Sequence, residues 1–451
     1  MEQMKPNAKT FFRFAAPSVV SMIMFSLYTM VDGIFLAHAN GEYAFAAINL
    51  AMPFINGIFA LGILFAMGTS TVVAITLGQG DTKRANEIFT QNIYVLAAVG
   101  LVVTVLVQCF TRELALFLGA TENTVGLVVE YLRAVSPFTV CFIVGYGLEV
   151  LVKTGGHPSV SLVGISACCG INIVLDAVLV VGRGLGMAGA GVATGIAQTA
   201  AMAIFLSHFL SGKSNLRLVR LKKPFLGIYK RILALGLSDF SGEVSLAAVV
   251  FLFNHLSFKV LGESGVVIYA AIAYLNNFVL MIMTGVSQGM QPLVSLSYGA
   301  GDEQGCRRFY SLAMRTILAA SLVCFAACRF LTEPITALML DPAGAVFPSA
   351  VRAVQTFSYS FLLVGFNLAS AAFLNATARP AGALAISLGR GIVLIAAAAF
   401  VMSALFGGTG LWLAATASEA ACLIVTAVLI GLTLRKKTGL PVMAEALRAR
   451  E

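Results

Sequence analysis

The sequence predicts an all-α integral membrane protein, and three features indicate this class. The 451 residues are 59% hydrophobic and only 11% charged, whereas soluble globular chains have roughly 25% charged residues. Apolar runs of about 20 residues, enough for a helix to cross a bilayer, follow one another along the chain. The connections between them alternate between rich and poor in Lys and Arg, which is the topology signal of a multi-pass protein.

The apolar runs number twelve, and each is bounded by polar or glycine-containing connections. We therefore expect twelve transmembrane helices, at 14–38, 47–77, 91–110, 124–152, 159–182, 187–210, 232–258, 265–297, 311–331, 349–375, 381–405 and 409–434.

The charge pattern predicts the orientation in the membrane. The basic connections include those at 5–13, 83–84, 213–231, 307–315 and 435–437, and the positive-inside rule makes them cytoplasmic. Both termini are then cytoplasmic in a plasma (inner) membrane, which requires an even number of spans. The net charge is +9. We interpret the excess basic residues as facing the anionic leaflet of the membrane, so no nucleic-acid partner is expected.

The two halves of the sequence resemble each other at an offset near 220 residues. Gly78-Gln-Gly-Asp81 corresponds to Gly299-Ala-Gly-Asp302, and other short motifs repeat with the same offset. Repeats with an even number of spans enter the membrane in the same direction, which predicts a pseudo-two-fold axis along the membrane normal. The predicted domains are an N-lobe at 1–210, a cytoplasmic linker at 211–231 and a C-lobe at 232–451.

Two six-helix lobes around a midplane cavity are the architecture of a secondary transporter working by alternating access. The sequence shows no P-loop, zinc-ligand spacing or filter-like loop, so neither an enzyme nor a channel is predicted. No cofactor is expected, and an ion gradient must then supply the energy.

Acidic residues inside the spans are the candidate functional residues, because a charge in hydrocarbon costs about 2.5–3.5 kcal/mol. Asp32, late in the first span, has no basic residue within a helical turn or two. Desolvation would favour its protonated form near neutral pH, which suits a proton carrier. The alternative is a structural Asp that hydrogen-bonds a neighbouring helix.

Asn172 and Asp176 lie four residues apart and therefore face one side of the fifth helix. If Asp176 meets Asp32, the two carboxylates would titrate as a coupled pair. Na⁺ is the other candidate, since carboxylate, amide and hydroxyl oxygens suit hard cations. Thr194 in the sixth span offers the hydroxyl, although taken alone it is better explained by helix packing.

Four further acids lie in or near spans. Asp239 and Glu243 share one face of the seventh helix, where they either line the substrate cavity or act as protonated helix–helix partners. Glu149 is expected to pair with Lys153 at i+4. Glu419 gives a weaker functional signal.

Several motifs together, in order and duplicated, make the chain resemble the multidrug and toxic compound extrusion (MATE) family over nearly its whole length. They are the Pro17–Asp32 helix, Gly68-Thr-Ser70, Gly78-Gln-Gly-Asp81, the glycine-rich 184–191 and 285–292. The resemblance implies antiport of H⁺ or Na⁺ against cationic drugs. It also implies a cation site at four residues, Asp32, Asn172, Asp176 and Thr194. Other members use acids on the seventh and tenth helices, but the predicted tenth helix here has none.

The expected function is therefore export of cationic or amphiphilic small molecules, by a chain that acts as a monomer in the bilayer. The alternative is a lipid-linked saccharide flippase of the same superfamily. Such proteins carry basic cavity residues, whereas only Arg133 and Arg390 lie well inside spans here.

Overall fold

The computed structural model describes residues 5–221 and 224–435, without the side chains of 28–46 and 435. Every regular element among these residues is helical. The α-helices are α1 (Ala8–Gly78), α2 (Thr82–Cys109), α3 (Thr111–Phe117), α4 (Val125–Val135), α5 (Thr139–Thr154), α6 (Pro158–Asp176), α7 (Gly186–Leu210), α8 (Tyr229–Leu261), α9 (Glu263–Gly299), α10 (Glu303–Phe330), α11 (Thr332–Ala337), α12 (Phe347–Phe357), α13 (Phe361–Ala376), α14 (Pro380–Leu388) and α15 (Leu394–Arg435).

Within the described residues, eleven helical stretches are long and apolar enough to cross a membrane. The last, Pro380–Leu434, has 55 residues, more than twice the roughly 20 that a single span needs. Gly407 interrupts it with a φ of 59° and a ψ of −137°, a backbone conformation that glycine adopts without steric cost. This break falls between the predicted spans 381–405 and 409–434, so the stretch supplies two spans and the total is twelve.

The fourth and tenth spans show the internal repeat in their geometry. Each consists of two α-helices joined by one 3₁₀ turn, Ser136–Phe138 in the first half and Ser358–Ser360 in the second. The two turns lie 222 residues apart, in agreement with the offset of the sequence motifs. The repeat is therefore carried by the backbone even where the side chains have diverged.

The repeated Gly-x-Gly-Asp motifs connect a span to the helix that follows it. Gly80 and Gly301 have φ values of 85° and 76°, which lie in the left-handed region that favours glycine. Asp81 and Asp302 then accept hydrogen bonds from the amides of Arg84 and Gly305 and cap α2 and α10. These caps start both helices earlier than the apolar runs predict, because their polar first turns extend beyond the apolar segment.

The chain divides into two compact units. The first contains Phe12–Ala74 and Asp81–Val244, and the second contains Ile75–Gly80 and the chain from Ser245 onward. The division between the units falls inside α8. The functional lobes and linker at 1–210, 211–231 and 232–451 remain a prediction.

The connection between α7 and α8 is docked along one face of α2. We call residues 211–225 the strap; 222 and 223 lie outside the described residues. The strap amides of Arg217 and Val219 donate to Asn86 Oδ1 (2.9 Å) and Thr90 Oγ1 (3.0 Å). Gln91 exchanges two hydrogen bonds with the main chain of Phe225, at 2.8 and 2.9 Å. The segment is therefore held to the first unit through its backbone.

Candidate cation site and intramembrane ion pairs

The fifth and sixth spans bring together three of the predicted site residues. Asn172 and Asp176 stand one turn apart near the end of α6, and both are fully buried. Asn172 Nδ2 donates to Thr194 Oγ1 on α7 at 3.3 Å. The amide on α6 and the hydroxyl on α7 therefore meet inside the first unit, one helical turn from the carboxylate of Asp176.

The oxygen of the Asn172 side chain is buried and has no hydrogen-bond partner among the described residues. A buried polar atom left unsatisfied costs about 1–3 kcal/mol. A protonated carboxyl or a hard cation would satisfy this oxygen. The arrangement therefore has the chemistry of a site for H⁺ or Na⁺.

Asp176 lies where α6 changes its helical form. The next six residues, Ala177–Gly182, form a π-helix. Such one-turn π segments are rare and often occur at functional sites, because they displace the normal hydrogen-bond ladder. The carboxylate thus stands at the last regular turn of its helix.

The first span packs against the face of α6 that leads to this site. Ser166 Oγ donates to Met24 Sδ at 3.1 Å, and Cys169 Sγ contacts the Met24 carbonyl at 3.7 Å. Ser166, Cys169, Asn172 and Asp176 follow one another at three- and four-residue intervals, so they share one face of α6.

Asp32, the fourth predicted ligand, lies outside the described side chains. Asp32 is eight positions after Met24, and Asp176 is seven positions after Cys169. Counted along the sequence from the contact between Met24 and Cys169, the two acids are therefore at similar distances.

The predicted cavity acids differ in exposure. Asp239 on α8 is half-buried, and Glu243, one turn later, is exposed. An exposed carboxylate inside an apolar span would be costly against lipid. Both interpretations of these acids, cavity lining and helix–helix pairing, remain predictions.

Glu149 forms a buried ion pair with Lys153, as expected from their spacing. Lys153 Nζ lies 2.7 Å from Glu149 Oε1, and the two side chains are 3% and 8% exposed. Ser161 Oγ on α6 donates to the same oxygen at 2.9 Å. This acid is therefore fixed by a permanent basic partner, which separates it from the candidate cation site.

A second ion pair lies in the other half of the chain, and the sequence did not predict it. Arg390 donates to Glu419 Oε1 from Nε at 3.1 Å and from Nη2 at 2.8 Å. Arg390 lies in a π-helix, Gly389–Val393, that interrupts the eleventh span. The available signal was the opposite charge of two intramembrane residues in consecutive spans.

The tenth span completes this network. Asn367 Nδ2 donates to Glu419 Oε2 at 2.7 Å, and Thr426 Oγ1 donates to Asn367 Oδ1 at 2.8 Å. Both carboxylate oxygens of Glu419 are thereby satisfied. The tenth span has no acid, and its amide serves the ion pair. Within the part of the chain that the structure describes, this cluster therefore has no open position for a cation.

The two halves of the chain match one family model separately. The model described as MatE matches residues 17–178 and again residues 240–401. Multidrug export protein MepA of Staphylococcus aureus (strain NCTC 8325 / PS 47) is 25% identical over 429 residues, which are 94% of each chain. MepA of Staphylococcus haemolyticus (strain JCSC1435) is 26% identical over 438 residues, covering 95% of this chain and 94% of the relative.

Solved structures share the fold. An outward-facing multidrug resistance MATE family transporter of the MOP superfamily superposes with a TM-score of 0.91 at 20% identity, covering 96% of this chain and 98% of the other. A MOP superfamily transporter from Pyrococcus furiosus gives 0.88 at 20% identity, with 94% and 95% covered. These likenesses confirm the predicted all-α, twelve-helix, two-lobe fold. Because the family model covers most of both halves, the chain belongs to the MatE family and is a membrane transporter rather than an enzyme.

Proposed function

We propose that the protein exports cationic or amphiphilic small organic molecules across the plasma membrane by alternating access, in exchange for H⁺ or Na⁺. The MepA relatives are multidrug export proteins by name, which supports this class of substrate. The coupling site consists of Asp32, Asn172, Asp176 and Thr194.

One observation carries the proposal: a buried carboxylate, amide and hydroxyl occur together, and the amide oxygen lacks a donor among the described residues. Glu149 and Glu419 each form an ion pair with a basic residue, so neither is a candidate for this site. A proton or Na⁺ that binds at Asp176 neutralises charge and satisfies Asn172 Oδ1. This ligand shifts the lobe equilibrium only through its different affinity for the two states.

The saccharide flippase is disfavoured as the alternative function. A site for pyrophosphate needs arginine or lysine that is not already neutralised. Arg390 is neutralised by Glu419 at 2.8 Å. Arg133, the other basic residue well inside a span, is one exposed side chain on α4.

The test uses proteoliposomes containing the full chain and a fluorescent organic cation, with a pH gradient or a Na⁺ gradient imposed separately. Asp176→Asn keeps the size of the side chain but removes its charge and its titration. We expect it to lower gradient-driven export by tenfold or more, equivalent to about 1.4 kcal/mol, while equilibrium binding of the organic cation is retained. Asn172→Leu should act in the same direction.

Asp341→Asn is the matched control. It is the same substitution, but Asp341 is an exposed turn residue outside the spans. It should export at the normal rate. If Asp176→Asn and Asp32→Asn both export normally under either gradient, the proposed coupling site is wrong.

A further inference from the structure

The strap carries positive charge without compensating acids. Residues 211–225 contain five Lys and Arg and no Asp or Glu. Among the described residues, Lys213, Arg217 and Arg220 are exposed, and none of the three forms an ion pair. Nothing in this part of the structure therefore neutralises them.

The docking of the strap leaves its basic side chains exposed. Ser214 and Leu216 are buried, whereas Lys213, Arg217 and Arg220 are exposed. Helix α2 holds the strap by main-chain amides, so these contacts do not cover the basic side chains.

The ends of the strap indicate its depth relative to the bilayer. Leu210, the last residue of α7, is 68% exposed, and Leu226, just before α8, is 67% exposed. Large aliphatic side chains this exposed at the ends of membrane spans belong against lipid. The strap between them therefore lies at the level of the headgroups, where basic residues meet phosphate.

We propose that the outer face of the strap, formed by Lys213, Arg217 and Arg220, is a binding surface for anionic phospholipid headgroups of the leaflet it faces, predicted to be the cytoplasmic one. Apolar residues beside a basic segment are the combination that binds an anionic membrane surface. Hydrogen bonds to α2 hold the backbone of the strap in place. Anionic lipid thus contacts a fixed part of the first unit and stabilises it.

The experiment measures thermal unfolding of the full-length protein in a neutral detergent, with added phosphatidylglycerol or phosphatidylcholine. We expect phosphatidylglycerol to raise the Tm more than phosphatidylcholine does. Arg217→Gln/Arg220→Gln should lose at least half of that difference, and Arg217→Lys/Arg220→Lys should keep it. Inorganic phosphate at the same concentration should not reproduce the rise.

Arg308→Gln/Arg315→Gln is the matched control. These two arginines are exposed on α10 and belong to the same predicted side of the membrane, so the net charge falls equally. The control should keep the lipid-induced rise. The proposal is overturned if the wild type shows no preference for phosphatidylglycerol, if free phosphate gives the same rise, or if the strap variant and the control lose it equally.

Discussion

Arg390 and Glu419 are joined by two hydrogen bonds to one carboxylate oxygen, at 3.1 and 2.8 Å, across the eleventh and twelfth spans. A buried pair of this kind contributes little net stability compared with an apolar pair of the same volume. Removing one partner is nevertheless destabilising, because the other charge is left uncompensated in the interior. Its role is to fix how the last three spans pack, with Asn367 of the tenth span as the third member.

The first prediction concerns this network. Arg390→Met or Glu419→Leu alone should destabilise the protein by about 3–5 kcal/mol, because each leaves one buried charge without its partner. The double variant should recover most of the loss. Thermal unfolding in detergent measures all three, and single variants as stable as the wild type would show that the pair is not buried in the membrane-embedded protein.

A second prediction concerns the hydrogen bonds that hold the strap. Asn86→Ala removes the acceptor of the Arg217 amide and should cost about 1 kcal/mol, which makes local opening of the strap about fivefold more frequent. Trypsin cleavage after Arg217 and Arg220, followed by mass spectrometry, measures this opening. Asn86→Asp keeps an acceptor oxygen and should restore slow cleavage; equal rates for all three proteins would exclude a clamp.

The third prediction concerns the break between the eleventh and twelfth spans. Gly407 and Gly431 both have open space where a Cβ would stand, but only Gly407 has a positive φ. Gly407→Ala should therefore destabilise the protein by about 1 kcal/mol or more, since the left-handed region is unfavourable for alanine. Gly431→Ala, inside a regular helix, should be neutral or slightly stabilising. Thermal unfolding of the two variants side by side compares them; equal Tm values would contradict the backbone argument.

The fourth prediction concerns the exposed acid of α8. If Glu243 lines the substrate cavity, Glu243→Gln should raise the KM for a monocationic substrate about fivefold, equivalent to about 1 kcal/mol for one exposed charge interaction. The KM for a neutral substrate should not change. Glu263→Gln, at an exposed acid at the start of α9, is the control for transport assays in proteoliposomes. A loss equal for both substrates would point to a structural role instead.

The parts of the molecule that sequence predicts are those decided by local chemistry. Span length and hydropathy are local properties, so the sequence alone could predict the twelve spans, which are confirmed. The connection expected between residues 405 and 409 is the break at Gly407. The i, i+4 spacing of Asn172 and Asp176 on one helix is also local, and the structure places both on one buried face. Their function as ligands remains a prediction.

The parts that sequence missed depend on packing between distant segments. Arg390 and Glu419 are 29 residues apart, and Asn367 is 52 residues from Glu419, so only the arrangement of three spans brings them together. For the strap, the sequence predicts only a linker between the lobes. Its partners on α2, Asn86 and Thr90, form an i, i+4 polar pair that was visible in the sequence but did not reveal what they bind.

The way α2 holds the strap has a consequence for how this protein can diverge. The contacts use main-chain amides, which every residue except proline possesses, so most exchanges at Arg217 or Val219 leave the clamp in place. The charge of the strap surface can therefore change to suit membranes of different phospholipid composition, while the contacts with α2 are kept. Proline at either position would remove one of these contacts, because it lacks the amide hydrogen.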